Sequence, residues 1–304
     1  MPHAAAFGRH VMVLGSLYII GASLLFGLVP TGNKYVMLSG VPAECLTFYT
    51  MSVICLMSVT LLYITHTRVR VNAGELCHLL FLGAAGQGAT TFLLSLACMR
   101  IPAGLATVFH FLYPTVVSVV MVVLFGQKMT RFKAAAIACS ISGMALIGGS
   151  SGGGAVRPGG ILLAAASSLT FAFYTVSNEK GNINHLPLLV KLAFSSMGSA
   201  LLFACISAVS GKAALPGTKG AWAILLLVCG LGSFTAFVCL TAGIRRIGAA
   251  AASFINMLEP VTSVVVSVMV YRDPLSARTM LGMAFVFGAV LLVALDGNLL
   301  QPAH

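Results

Sequence analysis

The chain has 304 residues, of which 59% are hydrophobic and 8% charged, against roughly 25% charged in a soluble domain; its mean hydropathy is +1.03. This composition excludes a soluble enzyme or soluble binding module and defines an all-α integral membrane protein. The formal net charge of +11 does not indicate nucleic acid, because the basic residues are scattered over short loops with no Lys/Arg run; they serve as topology signals at the membrane surface.

Apolar runs close to the roughly 20 residues a bilayer-crossing helix requires follow one another along the chain, and ten spans are predicted. The first covers about Val11 to Val36, with a kink expected at Pro30. Arg9 gives the chain a signal-peptide-like start, but the apolar run is too long for a signal core and no small-residue cleavage site follows. The second to fifth spans cover about Ala43 to Ile64, Leu76 to Ala97, Ala103 to Leu124 and Phe132 to Gly149. A Gly/Ser stretch, Ser150 to Gly154, then leads to Arg157-Pro158-Gly159-Gly160. It reads as a flexible linker between two five-span units, residues 1–150 and 151–304. No Gly-Lys-Ser/Thr follows, so it is not a phosphate loop. The sixth to tenth spans cover about Ile161 to Val176, Leu186 to Val209, Ala221 to Gly243, Ala249 to Tyr271 and Ala277 to Leu295. The cysteines are spread over the spans without a CxxC pair, which predicts small buried residues and neither a metal site nor a disulfide framework.

Ten spans put both termini on one side. With the N-terminus inside, ten of the 17 Lys and Arg fall on the inner side, which favours cytoplasmic termini; the membrane is expected to be the cytoplasmic (inner) one.

The two units carry an internal repeat. At a shift of 146 residues, Arg100 to Leu124 lies on Arg246 to Val270 without a gap. Arg100-Ile101 falls on Arg246-Ile247 and Pro114 on Pro260, while His110 meets Asn256 and Tyr113 meets Glu259. Five spans per copy is an odd number, so the second copy is expected to be inverted in the membrane. Inverted repeats are a recurrent design of secondary transporters, with the site near the midplane between the copies.

Candidate site residues follow from this repeat. Glu259 lies midway along the ninth span beside Pro260, and a carboxylate at that depth faces a bundle interior or a wet cavity. It suits binding of an ammonium or proton coupling; the competing structural role is to satisfy polar groups at the proline. His110 and Tyr113 share one helical face, Asn256 and Glu259 the matching one, and the symmetry predicts that the two faces meet. Gln87 in the third span and Tyr174 in the sixth, with Asn178 one turn on, are lesser substrate-binding candidates. Lys34 and Lys180 are also 146 apart and are expected as gate or interface charges, their long stems reaching headgroups. Gly83, Gly86 and Gly88 point to close helix packing.

Several of these features carry a resemblance: Phe26-Gly27 with Lys34 in the first span, Pro42 before the second, Leu112-Tyr113-Pro114 in the fourth, and Leu258-Glu259-Pro260-Val261 in the ninth. Together with the duplication, they resemble the drug/metabolite transporter (DMT) superfamily, in its ten-helix branch of two EamA repeats, over essentially the whole chain. The resemblance implies two inverted five-helix repeats and a cavity lined largely by spans one, three, four, six, eight and nine. It also implies alternating access and, typically, export of amino acids or other small metabolites, some members importing solutes instead. The chain departs from the family where an arginine commonly follows an aromatic in the second span: here Phe48 is followed by Tyr49 and Thr50. The ends of the fourth and ninth spans, commonly Gly-Glu, read Gly126-Gln127 and Arg272-Asp273.

The expected function is therefore secondary transport of a small solute, an amino acid or related compound, with no enzymatic activity, cofactor or metal. The partners are the solute and the bilayer, and the sequence leaves a homodimer open. One alternative is a nucleotide-sugar or other metabolite carrier of the same fold. Another is an intramembrane serine protease, based on Gly21-Ala22-Ser23-Leu24 with His110 as base.

Overall fold

The computed structural model describes residues 2–101, 106, 109–149, 158–211, 213–271 and 276–295, the first nine of these by backbone alone. The Gly/Ser linker, Arg157, Lys212, the start of the expected fourth span, Arg272-Asp273 and the C-terminal tail lie outside the described residues.

The described residues form helices and no strand. They are α1 (Pro2–Leu38), α2 (Ala43–Ile64), α3 (Ala73–Cys98), α4 (Tyr113–Val123), α5 (Arg131–Gly149), α6 (Pro158–Lys180), α7 (Leu188–Ser210), α8 (Lys219–Ile255), α9 (Leu258–Tyr271) and α10 (Ala277–Leu295). Six of them, α1 (from Val11), α2, α3, α6, α7 and α8, are long and apolar enough to cross a membrane, and α4 and α10 are shorter apolar helices.

The structure adds detail to the expected spans and changes one of them. The first helix runs through Pro30 to Leu38 as one element. The third and eighth helices each contain a wide-turn π segment, Leu82–Gly88 and Leu225–Gly232. The expected continuous ninth span is broken. Gly248 takes φ +81°, open to glycine but strained for other residues; helix resumes to Ile255, turns at Asn256-Met257, and α9 begins at Leu258. The fourth span likewise turns at Phe111-Leu112 before α4. In each copy the shared proline lies in the first turn of a new helix, where its missing N–H costs little. The prolines therefore start helices; they do not kink continuous ones.

The packing reproduces the repeat. α1 lies along α8 and α6 along α3, which are equivalent pairs at a shift of 146; α2 lies along α7 and α5 along α10, pairs that map onto themselves. The caps repeat too: Asn72 accepts the Glu75 N–H at 2.9 Å at the start of α3, and Thr218 accepts the Ala221 N–H at 3.1 Å at the start of α8. The Arg-Ile pair has a structural role in both copies. A Cβ on Gly15 would lie 2.6 Å from Ile247 Cγ2 and 2.9 Å from Arg246 Cβ; one on Gly160 would lie 2.6 Å from Ile101 Cγ2 and 3.2 Å from Arg100 Cβ. Each copy's first helix thus rests on the other copy's Arg-Ile pair through a glycine, a small-residue contact that lets helices approach closely in a bilayer.

The third helix packs the same way. Ser199 Oγ donates to Gly83 O at 2.7 Å, and a Cβ on Gly86 would lie 3.1 Å from Tyr174 Cβ. Cys45 and Cys229 are buried, but Cys77 and Cys205 are exposed, against the expectation of buried cysteines throughout. An exposed thiol on a membrane helix faces lipid at little cost, which composition alone does not reveal.

Candidate functional site

A cavity of about 140 Å³ opens among α1, α2, α3, the His110 turn, α6, α8 and the start of α9. Its apolar wall includes Phe26, Met51, Phe171 and Phe237; its polar wall includes Asn33, Lys34, Thr50, His110 and Glu259. The α1 lining recurs at Phe26, Pro30, Asn33 and Met37, the three-to-four spacing of one helical face. Phe26 meets Phe237 edge-on at 5.0 Å, and Phe171 meets Tyr113 edge-on at 4.7 Å.

His110 and Glu259 line the cavity, whereas Tyr113 and Asn256 lie behind it, 1% and 0% exposed. The four are close together, as the symmetry predicted. Asn256 Nδ2 donates to Tyr113 Oη at 3.1 Å and to Glu259 Oε2 at 3.2 Å. Tyr113 Oη donates to Ser253 O at 3.2 Å, and Ser23 Oγ lies 3.1 Å from Asn256 Oδ1. The break before α9 makes this possible, because Asn256 sits at the end of one helical segment and Glu259 in the first turn of the next.

His110 Nδ1 lies 2.9 Å from Ser167 Oγ, and Ser167 Oγ donates to Ala164 O at 2.7 Å. A hydroxyl has one proton to give. With that proton on Ala164 O, Nδ1–H donates to Ser167 and Nε2 is left as an acceptor. Ser23 is fully buried and bonded to Ile19 O and Asn256; His110 is paired with a different serine, so no nucleophile–base pair forms around Ser23.

The lesser candidates separate from the cavity. Gln87 is fully buried in the α3 π segment and accepts from Ser195 Oγ at 3.2 Å, toward α7. Tyr174 packs edge-on against Phe237 at 5.6 Å and accepts the Asn178 side chain at its backbone carbonyl. Neither is among the described residues that line the cavity. Lys34 lines the cavity. Lys180 pairs with Glu179 at 3.1 Å and sits 6.0 Å from the Phe125 ring centroid.

Sequence reasoning missed three residues. Glu179 is 5% exposed, and its Oε2 accepts the Ala249 N–H, the first amide after the Gly248 break. A carboxylate there caps the segment up to Ile255 and complements its positive end. The signal was the 146-residue shift, which sets Glu179 on Asn33. Asn33 and Thr50 line the cavity with Oδ1 and Oγ1 buried and unpartnered. Nothing in the sequence marked their oxygens as unpaired, because orphaned atoms are a property of packing.

Fold and site thus define a polytopic helical membrane protein built as two copies around a small central cavity. The chain matches the EamA-like transporter family over residues 13–149 and 158–295. It belongs to that family, a family of non-enzymatic membrane transporters of small solutes. No curated protein matches the chain. One crystal structure superposes with a TM-score of 0.76 at 19% identity, covering 94% of this chain and 98% of its own; at that identity the likeness establishes the fold alone.

Proposed function

We propose that the protein is a secondary transporter that exports a small metabolite, an amino acid or related compound, across the cytoplasmic membrane by alternating access. The two copies, residues 1–150 and 151–304, act as inverted five-helix units of a ten-span protein with cytoplasmic termini. The observation that carries this reading is the cavity lined by both His110 of one copy and Glu259 of the other, each beside a helix break. Broken helices at a repeat interface are where secondary transporters hold their solutes. Export is the direction implied by the DMT resemblance.

Within this reading His110 and Glu259 contact the solute, while Tyr113 and Asn256 hold Glu259 in place. Glu259 also carries any proton coupling, since it is the one carboxylate among the described lining residues. The size of the cavity, below the roughly 300–1,000 Å³ of drug-sized pockets, supports a small solute over a nucleotide sugar. So does the presence of Lys34 as the one cation among those residues.

The test is thermal stabilisation of the purified protein by amino acids, amines, nucleotide sugars and organic acids at two pH values, since a ligand that binds the folded state raises its stability. Stabilisation by an amino acid, weakened in His110→Ala and Glu259→Gln, is the expected result. Stabilisation by a nucleotide sugar alone, indifferent to both substitutions, would overturn the substrate and the site.

A further inference from the structure

Buried hydroxyls on these helices mostly turn back on their own backbone. Thr47 Oγ1 donates to Ala43 O, Ser58 Oγ to Ile54 O and Thr175 Oγ1 to Phe171 O, each at 2.8 Å. Thr50 is on the same helix as Thr47 and Ser58 and is 2% exposed, yet its Oγ1 has no partner. Asn33 Oδ1 is likewise buried and unpartnered. Both residues line the cavity. Buried polar atoms are satisfied in the great majority of cases. Six side-chain atoms among the described residues are not. Of these, Asn33 Oδ1 and Thr50 Oγ1 are the two whose residues line the cavity, where a bound ligand is the group placed to supply the missing donors. Asn33 also stands 146 residues before Glu179, whose carboxylate is already taken by Ala249 N–H and Lys180. The two copies therefore differ at this position: one side-chain oxygen is occupied and the other open.

Depth along the helices decides which groups one small molecule can touch. A Cβ on Gly27 would lie 3.0 Å from Glu259 O, so Glu259 is level with that part of α1. Lys34 is seven residues further, about 10 Å along the axis, so Lys34 and Glu259 belong to different depths of the cavity. Asn33 adjoins Lys34. Thr50 lies about 10 Å into α2 and Asn33 about 7.5 Å from the end of α1, so across the α1–α2 hairpin they reach nearly the same depth. Phe26 lies two turns deeper than Asn33 on the α1 face, with Phe171 and Phe237 also on the wall.

We propose that Asn33 Oδ1 and Thr50 Oγ1 form an ammonium subsite for an apolar α-amino acid, whose carboxylate reaches Lys34 and whose side chain lies among Phe26, Phe171 and Phe237. This rests on reading the cavity as the solute site, and it makes Thr50 and Asn33 the residues that set specificity. Both oxygens accept, so the subsite selects a ligand that donates.

Three probes dissect the site: leucine, isopentylamine (the same body without the carboxylate) and 4-methylpentanoate (without the ammonium). Binding to purified wild type, Thr50→Val, Asn33→Ala and Lys34→Met is measured by calorimetry. Leucine and isopentylamine are expected to bind wild type, and each to weaken about tenfold in Thr50→Val and in Asn33→Ala, the scale of one charge-assisted hydrogen bond. Lys34→Met is expected to weaken leucine and leave isopentylamine unchanged, and Thr50→Ser to restore Thr50→Val. If Thr50→Val does not fold, Asn33→Ala carries the same comparison. Wild-type leucine affinity in both variants, with binding still lost in His110→Ala, would overturn the ammonium subsite and leave the transport reading standing. Equal affinity for leucine and 4-methylpentanoate would also overturn it. No binding of any probe, together with no leucine flux in proteoliposomes, would overturn both.

Discussion

Asn256 of the second copy donates to the hydroxyl of Tyr113 of the first at 3.1 Å, and through the same amide nitrogen to Glu259 at 3.2 Å. One side chain thus ties the two copies together at the cavity floor. Removing it takes a donor from the Glu259 carboxylate and from the phenol oxygen, while the phenol keeps Ser253 O and the Ser23 hydroxyl keeps Ile19 O. Asn256→Ala is expected to destabilise the protein by about 1–3 kcal/mol, and Tyr113→Phe by about 1 kcal/mol. The double variant is expected to cost less than the sum, with a coupling of roughly 0.5–3 kcal/mol. Equilibrium unfolding of the four proteins checks this; strict additivity would show that the bond does not join the copies energetically.

The glycine on the Arg-Ile pair gives a test by sign. Gly21 has open space where a Cβ would go, and Gly15 does not. Gly21→Ala is expected to stabilise by up to about 1 kcal/mol through helix propensity. Gly15→Ala is expected to destabilise by about 1–3 kcal/mol through overpacking, and Gly160→Ala to behave like Gly15→Ala. Thermal unfolding of the three variants reads the difference, and a stabilising Gly15→Ala would contradict the packing.

Glu179 fastens α6 to the amide after the Gly248 break. Glu179→Ala leaves the Ala249 N–H unpaired, a loss of about 1–3 kcal/mol, and is expected to loosen this side of the protein. In a background without native cysteines, maleimide labelling of Ala250→Cys, a position 3% exposed, should then speed several-fold. Glu179→Gln keeps an acceptor and should fall between. Unchanged labelling in Glu179→Ala would show that the contact holds nothing shut.

The His110 tautomer depends on Ser167. Ser167→Ala removes the acceptor for Nδ1–H and frees the ring to turn. Solute flux in proteoliposomes is expected to drop about fivefold, the scale of one hydrogen bond of about 1 kcal/mol. His110→Ala should reduce it further. Equal losses in the two variants would mean that Ser167 does more than orient the ring.

The pattern of these residues separates what each level of description decides. A shift of 146 residues pairs His110 with Asn256 and Tyr113 with Glu259, and the structure brings these residues together beside the helix breaks. Gln87 and Tyr174 read in sequence as polar groups on apolar helices; in the structure Gln87 bonds Ser195 on α7 and Tyr174 joins the aromatic packing. A polar side chain on a buried helix has several neighbours available, and the helix rotation that selects among them comes from the whole bundle. Lys34 and Lys180 matched in sequence but parted in structure, because Glu179 is a carboxylate and Asn33 is not.

By itself the sequence determined the membrane setting, from hydropathy, and the two-copy plan, from the 146-residue repeat; the family resemblance rested on motifs such as Leu258-Glu259-Pro260-Val261, and the repeat paired the candidate site residues. Hydropathy and motifs are read along the chain and do not depend on how the helices pack. Only the tertiary structure decided that Pro114 and Pro260 start helices, that Glu179 caps the segment after Gly248, and that Asn33 and Thr50 face the cavity with oxygens unpaired. Those outcomes depend on which distant backbone groups come within hydrogen-bonding reach once the helices have packed, and no single stretch of chain specifies that.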